Sequence, residues 1–250
     1  MQRYFIPEKY KGEEIIALTG EDFHHISRVM RMKKGDRFYL VFSNGETAIV
    51  RILDFTDEEV IVSVAEWEEA TNELPIKVTI ASGLPKADKL EYIVQKGTEL
   101  GAYHFIPFNA ERSIVKWNEK KEKKKIQRLE KIAKEAAEQS HRNMVPSISR
   151  PVSWKELLDI GKGYQYKLVA YEEIAKQGEE KSLATFLTKL APGDKILIVF
   201  GPEGGLSARE ISDLVVHGFE LCGLGPRILR TETAPLYALS AVSYHFEIMR

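Results

Sequence analysis

Two glycine-rich turns hold the residue types and spacing in this chain best suited to a binding site. The first, Gly201-Pro202-Glu203-Gly204-Gly205, follows Ile196 to Phe200, an apolar run that reads as a strand buried on both faces of a parallel sheet. The second, Gly223-Leu224-Gly225-Pro226, follows a short strand from Phe219 to Cys222. Glycine lets backbone amides and carbonyls approach a bound group closely. Two such turns after adjacent strands stand where an open α/β sheet places its ligand. Arg227 and Arg230 bracket Ile228 and Leu229 just beyond, setting cations beside apolar side chains. Neither GxxxxGK[ST] nor GxGxxG occurs, so the usual nucleotide fingerprints are absent.

The elements that must position these turns are readable around them. Ser207 starts a helix, with Glu210 three residues on completing a capping box. Thr231-Glu232-Thr233-Ala234 leads into a last helix, Pro235 to Met249, with proline in its first turn. Upstream, a strand from Ile76 to Ala81 precedes a helix patterned by Leu90, Ile93, Val94, Gly97 and Leu100, which Gly101 ends. A strand from His104 to Phe108 completes a parallel βαβ unit, and Glu111-Arg112-Ser113 follows in a loop. Asn118 caps a helix whose first turns are lysine-rich, Lys120 to Lys125, against the macrodipole, a small cost that an anionic partner relieves. Its stripe of Ile126, Leu129, Ile132, Ala133 and Ala136 ends in a polar run from Glu138 to Asn143. A strand from Lys167 to Tyr171 and a helix from Ser182 to Leu190 lead back to the first turn. This order makes the region α/β with a mainly parallel sheet.

The N-terminal part is patterned differently. Arg37 to Phe42, Thr47 to Asp54 and Val60 to Val64 are short β-rich runs, with a hairpin signal at Ser43-Asn44-Gly45. A short helical pattern from Asp22 to Met32 sets Ile26, Val29 and Met30 on one face. Several strands and one helix predict a small barrel or sandwich. His24, Arg28, Arg31, Lys33, Lys34 and Arg37 form a basic knot in an otherwise acidic segment, the arrangement that tracks an RNA backbone. His24 and His25 are helix neighbours pointing apart, a poor metal pair. The acidic stretch from Glu66 to Glu73 reads as a linker, which divides the chain into domains 1–72 and 73–250.

Composition excludes more than it selects. The chain has 250 residues, 44% hydrophobic and 29% charged, with a net charge of −1, so any RNA footprint must be local. Its one cysteine, Cys222, sits in a predicted buried strand and allows no disulfide within the chain. The first residues carry no apolar signal region and no run reaches membrane-spanning length, so the expectation is a cytoplasmic protein without a membrane partner. No metal-ligand cluster and no Ser-His-Asp order is present, and no metal is expected.

FGPEGGLS followed by LGPRILRTETA, before a long helix, resembles the knotted SPOUT-class methyltransferases. Within that class the chain is similar to the ribosomal RNA small subunit methyltransferase E family. The resemblance extends through KADKLEYIVQKGTELG, ERSIVKW, EAAEQSHR and VPSISRPVSW and covers essentially the whole chain. It implies a C-terminal trefoil knot, an N-terminal PUA-like β-barrel, and methylation of N3 of a uridine in 16S rRNA of the 30S subunit, near the decoding centre, with S-adenosylmethionine as cofactor. It assigns the cofactor pocket to Tyr171, Phe200, Gly201, Pro202, Glu203, Gly204, Leu221, Leu224, Gly225, Ile228, Leu229, Arg230 and Thr233. Arg230 and Arg112 are the cations expected to stabilise developing charge, and Glu203 and His141 the proton acceptors, between which the sequence does not choose. The polar run near the expected active site adds Arg142 to the RNA-binding residues. Leu206 departs from the family pattern, which more often carries an aromatic there, without a change of function expected. The last helix is apolar on most sides, which predicts a homodimer, as the family also implies. Two alternatives stand beside this reading: a non-catalytic RNA-binding or ribosome-assembly protein, and a SPOUT enzyme acting on tRNA.

Overall fold

The computed structural model describes residues 1–173 and 183–249; the expected helix start at Ser182 lies outside them. The chain forms two compact units. One comprises Met1–Glu73 and Ala137–Val145, the other Leu74–Ala136 and Pro146–Arg250. The expected division at 72/73 therefore omits a short segment, Ala137–Val145, that belongs with the N-terminal unit.

In the N-terminal unit, β1 (Arg3–Phe5), β2 (Ile16–Leu18), helix α1 (Gly20–His24), β3 (Arg37–Val41), β4 (Thr47–Phe55) and β5 (Val60–Glu68) follow one another. The sheet order is β1-β3-β4-β5-β2. β1 runs parallel to β3, and the other pairs are antiparallel. Alternate residues point inward, so Phe38, Leu40, Ala48, Val50, Ile52, Val60 and Val62 form the core with Tyr4, Leu18 and Ile26. Register shifts between Ile49 and Val50 and between Ile52 and Asp54 bend the long β4–β5 pair.

Two expectations for this unit change. α1 continues into a widened turn, His25–Val29, in which the Met30 amide reaches the His25 carbonyl at 2.8 Å. Such an i→i+5 turn advances less per residue than an α-helix. Ile26 is fully buried, but Val29 and Met30 are 56% and 39% exposed, so the predicted three-residue apolar face reduces to Ile26. The supposed linker is also partly strand: Glu66, Trp67 and Glu68 pair with Ile49, Ala48 and Thr47.

The segment after the long C-terminal-unit helix closes this unit. Arg142 is 2% exposed. Its Nε donates to Glu73 Oε1 at 3.2 Å, its Nη2 donates to Glu73 Oε2, and its carbonyl accepts from Arg3 Nη1 at 3.0 Å. Asn143 donates to Thr47 Oγ1 at 2.9 Å and accepts from the Asn72 amide at 2.9 Å. Arg3 itself is buried, paired with Glu68 at 2.7 Å, with its guanidinium 4.6 Å from the Tyr39 ring centroid.

The C-terminal unit runs β6 (Lys77–Gly83), α2 (Lys89–Glu99), β7 (His104–Phe108), α3 (Glu119–Gln139), β8 (Ser147–Ile148), α4 (Trp154–Gly161), β9 (Tyr166–Ala170), α5 (Leu183–Leu187), β10 (Lys195–Phe200), α6 (Ala208–Val216), β11 (Glu220–Cys222) and α7 (Thr233–Ser243). The sheet order is β11-β9-β10-β6-β7-β8, with every pair parallel. Ile106, Phe108, Leu197 and Val199 pack with Leu157 and Leu158 of α4 and Leu214 of α6 on one face. On the other, Gly97 of α2 lies so close to Phe105 and Leu239 that a Cβ there would be 2.8 Å from the Phe105 ring and 3.6 Å from Leu239 Cδ1.

Local signals hold here. Ser207 Oγ accepts from the Glu210 amide at 3.2 Å, while the Ser207 amide donates to Glu210 Oε2 at 2.8 Å. Asn118 Oδ1 accepts from the Lys121 amide at 3.0 Å. Gly101 has φ +90°, as a residue just past a helix end requires. The adjacency of the two glycine-turn strands does not hold: β9 lies between β10 and β11. Consecutive strands need not be neighbours, because a crossover can return on either side of a strand already laid down. Among the described residues no helix is long and apolar enough to cross a membrane.

Candidate functional site

β9, β10 and β11 all end at the same edge of the parallel sheet, and the loops that leave them enclose a cleft of about 740 Å³. Ala170 ends β9 and Tyr171 to Glu173 follow it, Phe200 ends β10 and Gly201 to Leu206 follow it, and Leu224, Gly225 and Arg227 to Thr231 follow β11; Lys89 and Arg112 line the cleft from elsewhere in the unit. The segment that follows the second glycine turn reaches the first, with Thr231 Oγ1 donating to the Gly201 carbonyl at 3.2 Å.

Glycine lets these loops approach closely. A Cβ on Gly83, at the end of β6, would sit 2.6 Å from Pro202 Cδ and 2.9 Å from Pro202 N. On Gly204 it would sit 3.1 Å from Arg112 Cβ. A side chain at Gly83 would push the first turn away from β6.

Arg112 is held by the cap of α6. The Glu111 amide donates to Glu210 Oε1 at 2.8 Å, and Ser207 Oγ donates to Glu111 Oε2 at 2.8 Å. From this anchored loop Arg112 Nη1 donates to the Gly204 carbonyl at 3.1 Å. Arg230 is exposed in the segment between the second turn and α7, and its carbonyl accepts from the Thr233 and Ala234 amides at 2.9 and 3.0 Å, joining that segment to the helix.

Lys89, the first residue of α2, ties the first turn to the start of α7. Its Nζ lies 3.0 Å from Glu203 Oε1 and 3.0 Å from Glu232 Oε2. The Lys86 amide also donates to Glu203 Oε1, at 3.1 Å. Burial alone would raise the Glu203 carboxyl, but its own amide, the Lys86 amide and the Lys89 ammonium outweigh burial and hold it below the usual carboxylate range. Glu232 is held low against burial in the same way by its own amide and Lys89. A carboxylate so stabilised is a poor proton acceptor. Glu203 therefore fits a positioning part better than the expected basic one.

Of the expected pocket residues, Leu221 and Thr233 lie outside the lining and the rest form it. Leu221 packs against the hydrophobic core, and Thr233 is the first residue of α7. Lys89, Thr231 and Arg227 line the cleft without having been assigned to it. A signal for Lys89 existed: it opens the helix after a strand of the same sheet.

The remaining expected site residues belong to the N-terminal unit. His141 has φ +57°, its ring meets the edge of Tyr39 at 5.8 Å, and its carbonyl accepts from Asn72 Nδ2 at 2.8 Å. Burial, then the positive charges of Arg3 and the amino terminus, push its imidazole below the ordinary value. It does not line the cleft. Arg142, buried on Glu73, presents no charge to RNA. His24, Arg28, Arg31, Lys33 and Lys34 are all exposed, with Lys34 3.6 Å from Asp54. His25 turns inward, its Nδ1 2.9 Å from the Tyr4 hydroxyl.

Comparison with known proteins bears on both units. A family model described as an RNA methyltransferase domain matches residues 72–243, and one described as an RNA methyltransferase PUA domain matches residues 18–65. The chain is 52% identical to a ribosomal RNA small subunit methyltransferase E of Bacillus subtilis over 100% of its length and 99% of that protein. It is 32% identical to the protein of that name from Synechocystis over 92% of its length and 73% of that protein. Among solved structures, it is similar to a ribosomal RNA small subunit methyltransferase E from Neisseria gonorrhoeae bound to S-adenosyl methionine. The TM-score is 0.84, at 27% identity, covering 98% of each chain.

Proposed function

This chain belongs to the ribosomal RNA small subunit methyltransferase E family, and we propose that it methylates N3 of one uridine of 16S rRNA near the decoding centre. At the coarser level it is an S-adenosylmethionine-dependent RNA methyltransferase of the small ribosomal subunit. The observation that carries this is the 52% identity along the whole chain to a relative of that name.

The cleft fits the cofactor on its own terms. Its volume of about 740 Å³ falls in the range of small-molecule sites. Gly201, Gly204 and Gly225 supply backbone amides and carbonyls for an adenine edge, and Phe200, Leu224, Ile228 and Leu229 supply apolar contact, with Tyr171, Pro202 and Arg230 completing the wall. Glu203 acts through Lys89, Thr233 holds the Arg230 carbonyl through its amide, and Leu221 belongs to the strand that carries the second turn. S-adenosylmethionine supplies, when bound, a methyl group on a sulfonium already activated for transfer.

The chain's own residues then have two tasks. Arg230 and Arg112 stabilise the negative charge that develops on uracil oxygen as N3 loses its proton. The loops must also admit an unpaired base, because N3 lies on the Watson–Crick edge and a paired uridine must leave its partner first. His24, Arg28, Arg31, Lys33 and Lys34 of the N-terminal unit track phosphates of the same RNA. A homodimer, the knot of the class, and work in the cytoplasm beside the ribosome belong to this proposal. Tyr237, Tyr244 and Ile248, exposed by 40%, 53% and 68% along the last helix, support the dimer.

The test is methyl transfer from labelled S-adenosylmethionine to unmodified 30S subunits, followed by primer extension. A methyl at N3 blocks pairing, so one new stop at a uridine is expected. Cofactor binding without a stop would redirect the enzyme to another RNA, tRNA first. Neither binding nor transfer would leave an RNA-binding scaffold.

A further inference from the structure

Helix α3 carries a concentration of positive charge that the cleft does not use. Lys120, Lys121, Lys123, Lys124 and Lys131 are exposed, and among the described residues none is in an ion pair. Arg128 of the same helix differs, its Nε lying 2.7 Å from Glu91 Oε1 of α2. The chain as a whole has a net charge of −1, so this cluster is a local feature and not a share of general basicity. Four of the five lysines lie in the first turns of α3, where the helix dipole disfavours cations. A polyanion bound along the helix offsets that cost.

The spacing suits such a ligand. Lys120 and Lys124 stand one turn apart and Lys131 about two turns further, on one side of the helix. Residues four apart rise about 6 Å along the axis, the order of the distance between successive phosphates on a nucleic acid strand. The position suits it too. Glu91, the partner of Arg128, is in the first turn of α2, and Lys89 of that turn lines the cleft. α3 is thus moored to the helix that forms part of the cleft wall.

We propose that the exposed lysine face of α3 is a phosphate-tracking surface that holds the RNA strand flanking the base delivered to the cleft. This rests on the reading of the chain as an RNA methyltransferase. The N-terminal basic residues then form one of two electrostatic contacts, each on its own unit.

The experiment compares the full chain with K120E/K124E/K131E and with a charge-matched control, K9E/K155E/K195E, at exposed lysines elsewhere. Binding of an unmodified 16S rRNA fragment is followed by fluorescence anisotropy against salt, without cofactor. Loss of three phosphate contacts should lower the slope of log affinity against log salt by about 2. RNA KM should rise about tenfold or more, while kcat at saturating RNA and S-adenosylmethionine affinity by calorimetry stay as in the wild type. Glutamate in the first turns suits the helix dipole, so α3 should persist by circular dichroism. K120Q/K124Q/K131Q gives the same reading without charge reversal. An unchanged slope, or an equal loss in the control, overturns the proposal. A wild type that binds RNA through this surface but transfers no methyl would sink the enzymatic reading and leave the surface standing. Transfer with an unaltered slope would sink the surface alone.

Discussion

Arg142 in the N-terminal unit and Arg230 in the C-terminal unit carry the same guanidinium into opposite surroundings. Arg142 is 2% exposed, with Glu73 on two of its nitrogens. Arg230 stands exposed on the wall of the cleft, fixed through its backbone, with its side chain left to meet a ligand. Arg3 matches Arg142, buried on Glu68 and Tyr39, while Arg112 stands between the two cases, exposed at the rim with one nitrogen on the Gly204 carbonyl. A guanidinium enclosed by protein partners serves the fold, and one anchored by its main chain can serve a reaction. The same residue type thus divides between architecture and chemistry according to what holds it.

The largest effect should come from breaking the buried case. Arg142→Met leaves Glu73 without its partner and should cost about 3–5 kcal/mol in urea unfolding of the N-terminal unit. S-adenosylmethionine affinity should change little. A loss below about 1 kcal/mol, the size of an exposed pair, would erase the distinction. The reverse pattern is expected of Arg230→Met: single-turnover methyl transfer falls by about 10²-fold or more, with stability within about 0.5 kcal/mol of the parent. An Arg230 variant that unfolds the protein but, where folded, turns over normally would contradict the division.

Lys89 lies between the two cases, an ion-paired cation at a ligand site. Lys89→Met frees Glu203 and Glu232, and calorimetry should show S-adenosylmethionine bound about tenfold more weakly, about 1.4 kcal/mol. Both pairs are partly exposed, which keeps the effect moderate. Lys89→Arg should restore most of it. The smallest effect is in pH. Glu203 and Glu232 titrate below their ordinary 4.5 in the folded protein. Their contribution is therefore complete above that value and disappears as pH falls through the lowered ones. Cofactor affinity should be level from neutral pH down to the ordinary carboxylate range and decline only beneath it, and Lys89→Met should move that decline upward. A turnover limb near neutrality that vanishes in Glu203→Gln would restore Glu203 as a base.

The sequence disclosed whatever was set locally. Ser207 with Glu210, Asn118 before α3 and Gly101 after α2 each act within a few residues, and each stands where its type predicts. The β10 strand and its turn were equally clear, because a run buried on both faces has no polar alternation to confuse it. What depended on distant partners was hidden. Nothing within Glu138 to Asn143 indicates that Glu73 awaits Arg142, so the run read as a polar surface near a substrate. The resemblance assigns Leu221 to the pocket, whereas in the fold its side chain packs against the hydrophobic core, a placement set by residues far away in the chain. The three-residue strands β1 and β2 are too short to show a period. The widened turn after His24 removed Val29 and Met30 from the face an ordinary helix would give them.

Ribosomal synthesis gives the return of Ala137–Val145 to the N-terminal unit a further meaning. A chain emerges from the ribosome amino end first, and a leading unit ordinarily folds while the rest is still being made. Here Arg3 must wait for the carbonyl of a residue 139 positions later, and Glu73 for a guanidinium 69 positions later. Until that segment leaves the exit tunnel, Arg3 and Glu73 lack these partners and must stay wetted by solvent or find temporary ones. By then β6, α2, β7 and most of α3 have also been released. The unit that begins first cannot finish first, and its last contacts close only after much of the next unit is already outside the ribosome.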